Sequence, residues 1–179
     1  MSKGEPLSQE QREAALKDLL GPDSGKRVEA AKLLSSDAST TSMLVPLLES
    51  ERRAETRHAV LYALSWHADL GLRELMVRIL TDRQETPRVR GQAAEGLAYM
   101  FGYMDKRSPE FEGAVQALLD SLKDPSPEVR YCALFALGAT RHPPLIPALQ
   151  ELLADKTPVE GWAGTVSDEA ARAIERLEW

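Results

Sequence analysis

The sequence Val-Arg-x-x-Ala-x-x-Ala-Leu recurs along these 179 residues. A chain that repeats itself at a period of about thirty to forty residues folds into stacked copies of one small unit. The pattern is complete in Val129-Arg130 with Ala133, Ala136 and Leu137. It is nearly complete in Val89-Arg90 with Ala93, Gly96 and Leu97. Weaker copies start at Thr56-Arg57 and Lys26-Arg27, and a degenerate fifth runs Val166-Ser167 with Ala170, Ala173 and Ile174. A single pair of helices cannot bury its apolar face, so such units stack, and stability becomes a sum over their interfaces.

Spacing and breakers predict helices over 8–20, 24–35, 39–50, 52–66, 70–81, 87–103, 109–123, 126–140, 143–155 and 166–177. Ser8 with Gln11 has the form of a capping box. Breakers fall at the joints, such as Thr86-Pro87, Asp124-Pro125-Ser126-Pro127 and His142-Pro143-Pro144, and a proline in the first helical turn is tolerated because its missing N–H has no helical partner there. No segment alternates with period two over a useful length, which argues against strands. The small residues Ala30, Ala63, Ala93, Gly96, Ala133 and Ala136 let neighbouring backbones approach closely. The arginine that opens each copy is read as a structural ladder, bonded to carbonyls or to an acid in the preceding turn. Asp124, six residues before Arg130, is the candidate partner there.

Here the chain resembles the HEAT-repeat family, above all its short bacterial members similar to the HEAT-like repeats of phycobilisome lyases. Ile146-Pro147-Ala148-Leu149-x-x-Leu152-Leu153-x-Asp155 is similar to that family's second-helix pattern, and Val115-x-x-Leu118-x-x-Ser121-Leu122-x-Asp124 follows it more loosely. The resemblance covers about residues 21–177 and implies an all-α, right-handed α-solenoid of about four and a half helical pairs. Residues 1–7 are read as a tail and 8–179 as one domain. The second helices are expected to line a shallow concave surface.

Composition narrows the function. A net charge of -6 argues against general binding to nucleic acid or an anionic membrane. Charge is uneven: residues 51–90 hold eight Arg against six acids, and residues 91–128 hold three bases against seven acids. Cys132 is the only cysteine and reads as a small core residue. There is no signal-peptide core and no apolar run long enough to span a bilayer, so a cytoplasmic protein is expected. His58, His67 and His142 fall in three different repeats without metal-ligand spacing, and no phosphate loop or nucleophile elbow appears. The chain is therefore expected not to be an enzyme and to hold no metal or cofactor. It is read as a monomeric scaffold or adaptor that binds another protein, with an immunity-type inhibitor as one specific form. The alternative is an accessory lyase or chaperone holding a tetrapyrrole or other small molecule.

Interruptions of the repeat carry the site prediction, because stacking does not require them. The third copy is nine residues longer than the best one, and the excess holds Tyr99-Met100-Phe101-Gly102-Tyr103-Met104-Asp105-Lys106. Tyr99 aligns with Trp66 of the preceding copy, where the best copy has Ala139, which predicts that the two lie near each other along one edge. Two readings stand: these aromatics cover the end of the local core, or they anchor a partner. A second excess follows the fourth pair within residues 156–165, where Trp162 is either a mobile contact or a cap on the last pair. The two excess segments occupy opposite kinds of joint and are predicted to lie on opposite edges. The partner-binding residues assigned are Trp66, Tyr99, Phe101, Tyr103, Asp105, Lys106 and Trp162.

Overall fold

A computed structural model describes residues 6–179. Of the tail expected over residues 1–7, residues 1–5 lie outside this range, and Leu7 is tied down by its N–H, which donates to Asp37 Oδ2 at 2.9 Å. Among the described residues ten α-helices follow: α1 (Gln9–Leu20), α2 (Ser24–Ser35), α3 (Thr41–Ser50), α4 (Ala54–His67), α5 (Arg73–Thr81), α6 (Pro87–Met100), α7 (Pro109–Ser121), α8 (Pro127–Ala139), α9 (Ile146–Gln150) and α10 (Val166–Glu178). They fall into two compact units, Met1–Asp69 with α1–α4 and Leu70–Trp179 with α5–α10.

Local chemistry sets the helix ends. At α1 the Ser8 hydroxyl accepts from the Gln11 N–H at 3.2 Å while the Gln11 side chain accepts from the Ser8 N–H at 2.8 Å. Thr165 and Asp168 form the same reciprocal cap on α10. Pro87, Pro109 and Pro127 sit at the first positions of α6, α7 and α8. The second helices start later than their sequence pattern predicts, because a short 3-10 turn precedes each of α3, α5 and α9. Before the turns leading to α5 and α9 stand Ala68 and Arg141, both in the left-handed region with φ of 48° and 47°. Each is eleven residues after its repeat arginine. The matching residue of the third copy is Phe101, whose φ of -59° carries the chain onward as a 3-10 turn, Phe101–Tyr103. Loss of that sharp left-handed step is how the longer joint departs from its siblings.

In the first unit α2 packs on α4, flanked by α1 and α3; Leu19, Leu34, Leu44, Leu48, Leu61 and Leu64 are fully buried there. In the second, α6 packs on α8 and α8 on α10, while α5 packs on α6 and α7. Small residues permit these approaches. A Cβ on Gly138 would stand 2.9 Å from Ala173 Cα, and one on Gly91 would stand 3.1 Å from Cys132 Sγ.

The repeat arginines form a ladder of structural bonds. Arg27 donates to Gly21 O at 2.7 Å, Arg57 to the carbonyls of Leu48 and Glu51, and Arg130 to Asp124 O at 2.7 Å. Each thus satisfies orphan carbonyls where the preceding helix ends. Asp124 does stand against Arg130, but through its backbone. Its carboxylate belongs to Arg90 of the previous copy, which reaches it with two nitrogens, and to Arg83 at 2.6 Å. Arg130 in turn pairs with Asp155 at 2.8 Å, and Arg12 with Asp37 at 3.0 Å. Burial alone would raise the Asp124 pKa, yet the hydrogen bonds from Arg90 and the Ser126 N–H hold it below the ordinary value.

Candidate functional site

A helix whose arginine points into this ladder presents a different side at the positions one, five and nine residues later. Residues four apart lie over one another on a helix. After Arg57 these positions are His58, Tyr62 and Trp66; after Arg90 they are Gly91, Glu95 and Tyr99; after Arg130 they are Tyr131, Phe135 and Ala139. Helices α4, α6 and α8 thus carry aromatic side chains on the side away from the ladder, whereas α2 has Val28 and Lys32 there, followed by Ser36 at its end.

In the second unit these side chains touch. Tyr99 of α6 meets Phe135 of α8 edge-on, with ring centroids 6.4 Å apart. One turn earlier on α8, the Tyr131 ring lies 4.9 Å from that of Trp162, which the 156–165 segment folds back over it. Arg172 and Arg176 of α10 lean over Tyr131 and Phe135, at 5.8 Å and 5.3 Å from the ring centroids. Both guanidiniums are paired with buried Glu169, and Arg172 also donates to the Tyr131 hydroxyl at 2.7 Å. The result is a strip Trp162–Tyr131–Phe135–Tyr99 edged by two arginines. Tyr131 is buried beneath it, whereas Tyr99 and Phe135 are half-buried and Trp162 is 36% exposed.

Trp162 is held in place. Its N–H donates to Val159 O at 3.1 Å, Pro158 and Thr165 form a bridge, and the Val166 N–H donates to Thr157 O at 3.1 Å. Gly161 and Gly164 supply the left-handed turns, with φ of 80° and 102°. The expectation that the two excess segments serve opposite edges is corrected here. Tyr99 of one and Trp162 of the other rest on neighbouring turns of the same helix face, because Tyr131 and Phe135 are four residues apart.

The rest of the first excess segment divides. Phe101 is only 3% exposed and packs edge-on against Phe111, which stacks in turn on His142. It belongs to the core and is corrected as a contact residue: the 3-10 turn at Phe101–Tyr103 directs it inward. Tyr103, from the same turn, is 71% exposed. Asp105 and Lys106 are exposed but also build the joint. Asp105 accepts from the Arg107 N–H at 3.0 Å, and Lys106 donates to the carbonyl of Arg141 at 2.6 Å. In the first unit Trp66 is 41% exposed and tilts against Tyr62 at 6.2 Å.

Sequence reasoning passed over Tyr131, Phe135 and Glu95, which filled variable positions of the repeat. The available signal was their spacing of one, five and nine from the ladder arginines. Glu95 is the one acid in that register on α4, α6 and α8. It accepts only from Cys132 Sγ at 3.8 Å and from Gln92 at 3.5 Å. Burial, with repulsion from Glu128, pushes its pKa up to about 7 against those two hydrogen bonds. Burial likewise raises the Cys132 thiol, which is 1% exposed.

Open grooves run along the second helices of the second unit. One of about 410 Å³ runs between α5 and α7, past Arg73, Arg78 and Glu110; another of about 450 Å³ runs between α7 and α9, past Asp120, Lys123 and Glu151. Neither has an aromatic wall.

Helices stacked in copies, with arginines of the first helices closing the preceding joints, define an α-solenoid repeat protein. A profile of HEAT repeats matches residues 74–175, more than half of the chain, and the chain belongs to the HEAT-repeat family. Among solved structures it is similar to the complex of CpcE and CpcF of phycocyanin lyase from Nostoc sp. PCC7120. That likeness has 19% identity and a TM-score of 0.69 over 93% of this chain and 99% of that one. A designed armadillo repeat protein in complex with the peptide (KR)4 is similar at 19% identity and a TM-score of 0.58, over 91% of this chain and 80% of that one. These likenesses show the fold.

Among curated proteins, a deoxyhypusine hydroxylase of Aspergillus clavatus is 40% identical over 82 residues, 44% of this chain and 23% of that protein. The chain therefore spans less than a quarter of that relative's length. The expectation that the chain is not an enzyme is overturned by this match, since the relative is a hydroxylase by name. Histidine spacing and the lack of familiar loops were too narrow a basis for it. Among the described residues, no helix is long and apolar enough to cross a membrane.

Proposed function

We propose that this HEAT-repeat chain binds another protein through the aromatic face of α6, α8 and α10. The observation that carries the reading is the strip Trp162–Tyr131–Phe135–Tyr99 with Arg172 and Arg176 along its edge. Tryptophan, tyrosine and arginine dominate the energetic centres of protein interfaces, because they bury much area at low entropic cost. Here hydrogen bonds and ion pairs fix their orientation in advance, which reduces the ordering cost on association. Tyr103 extends the contact by its exposure, with Asp105 and Lys106 as its polar rim, and Trp66 is a contact of the first unit. The small-molecule alternative is less well supported, since neither of the two grooves described has an aromatic wall on which a flat ring system could stack.

The test starts with the protein that co-purifies with this chain from its native cells. Its affinity is then measured for the wild type and for Trp162→Ala, Phe135→Ala and Glu112→Ala, with melting recorded on the same samples. A true anchor costs at least about 2 kcal/mol of binding when truncated, roughly thirtyfold. Folded Trp162→Ala and Phe135→Ala are expected to lose at least that much, while Glu112→Ala, exposed on α7, binds as the wild type does. Unchanged affinity in both aromatic variants overturns the reading.

A further inference from the structure

The aromatic face holds one group that its own neighbours leave uncompensated. Glu95 lies on α6 one turn before Tyr99, against Cys132 of α8, whose next turn carries Phe135. Its two hydrogen bonds are long and come from an uncharged thiol and an uncharged amide. The cations of this face are committed elsewhere. Arg172 and Arg176 are paired with Glu169, and Arg88 acts on Glu128. Among the described residues no cation is seen to pair with Glu95, and the charge that acts on it, Glu128, is another carboxylate. A half-buried carboxylate among aromatic rings, with no cation of its own, is complementary to a cation brought from outside. The carboxylate offers a charge-assisted hydrogen bond, and ring faces attract the same positive group.

We propose that the bound protein lays a lysine or arginine side chain against the Tyr99–Phe135 pair, with its charged end received by Glu95 one turn before Tyr99. This rests on the aromatic face being the binding surface, as argued above, and adds the chemistry of the residue it accepts. Burial and the neighbouring Glu128 disfavour the ionised form of Glu95 in the free protein, and an incoming cation reverses that preference. Gln92 on α6 and Cys132 and Glu128 on α8 face the carboxylate, while Glu160 and Arg88 reach it only through Glu128. Binding is therefore expected to strengthen as pH rises through neutrality.

The probe is an octapeptide of alternating lysine and arginine, titrated into the full chain while the heat of binding is followed. Four proteins are compared at pH 6 and pH 8: the wild type, Glu95→Gln, Glu112→Gln and Trp162→Ala. Glu95→Gln is expected to weaken binding at pH 8 by at least tenfold and to abolish the pH dependence. Glu112→Gln, which removes an exposed charge elsewhere, stays within twofold and controls for general attraction to an acidic protein. No binding by the wild type, or equal binding by Glu95→Gln, overturns the inference. The aromatic-face reading fails separately: if Trp162→Ala and Phe135→Ala bind the native partner normally, the surface itself is wrong. If they lose that partner while Glu95→Gln does not, only the cation is wrong.

Discussion

The two segments that interrupt the repeat, at Tyr99–Lys106 and Lys156–Thr165, have opposite uses. The first turns its central aromatic inward: Phe101 joins Phe111 and His142 in the core, and only Tyr103 stands out in solvent. The second turns its one aromatic onto the surface of α8, fixed by two left-handed glycines and the Pro158–Thr165 bridge. The difference arises from the backbone. A 3-10 turn continuing α6 keeps Phe101 under the end of the helix, whereas a closed loop returning to α10 lays Trp162 across Tyr131. Aromatic content alone therefore does not separate core from contact; the direction in which the chain leaves its helix does.

The sharpest way to break this comparison is to truncate both aromatics. Phe101→Ala is expected to cost on the order of 3–5 kcal/mol of folding stability in urea denaturation, as for a buried phenylalanine. Trp162→Ala, which loses a partly exposed ring, is expected to cost about 1 kcal/mol. Equal losses would mean that both segments are core.

A smaller effect sharpens the view of the face that Trp162 covers. The Glu95 carboxyl titrates near 4.5 when unfolded and near 7 when folded. The folded state therefore holds its proton longer, and ionisation works against folding. Wild type should lose stability relative to Glu95→Gln as pH climbs from about 4.5 to about 7, with a constant gap above that. The shift corresponds to about 2 kcal/mol once partial solvent contact is discounted. Parallel melting curves of the two proteins across pH 4 to 8 would refute it.

Glycines in the two segments give the least costly contrast. Gly164 has φ of 102°, and a Cβ there would stand 2.7 Å from Asp168 Oδ2, the oxygen that caps α10. Gly164→Ala is expected to lose about 1–3 kcal/mol by chemical denaturation. Gly102→Ala meets nothing within 4 Å and is expected to change stability by no more than about 0.5 kcal/mol. A costly Gly102→Ala would show that the first segment is as tightly built as the second.

Much of this architecture could be read from the chain. The period announced stacked helix pairs, the breakers placed nearly every helix, and the arginines belonged to a ladder because their side chains had the reach to close the preceding joint. The site was harder. Tyr99 and Trp162 were visible because they lie in excess sequence. Tyr131, Phe135 and Glu95 sit inside regular copies, where a repeat motif marks their positions as variable. Only the side opposite the arginine shows what that variability carries. The direction of Phe101 was also hidden, since it depends on whether one residue takes the left-handed conformation found at Ala68 and Arg141.

The single thiol has a practical consequence. Cys132 is almost wholly enclosed, and burial together with Glu95 and Glu128 suppresses its thiolate, the form that alkylates. A cysteine introduced at exposed Tyr103 would therefore react with maleimide dyes far faster than the native one. Site-specific fluorophores and spin labels can then be attached to the full chain with Cys132 left in place, and the seam between α6 and α8 stays as it folds.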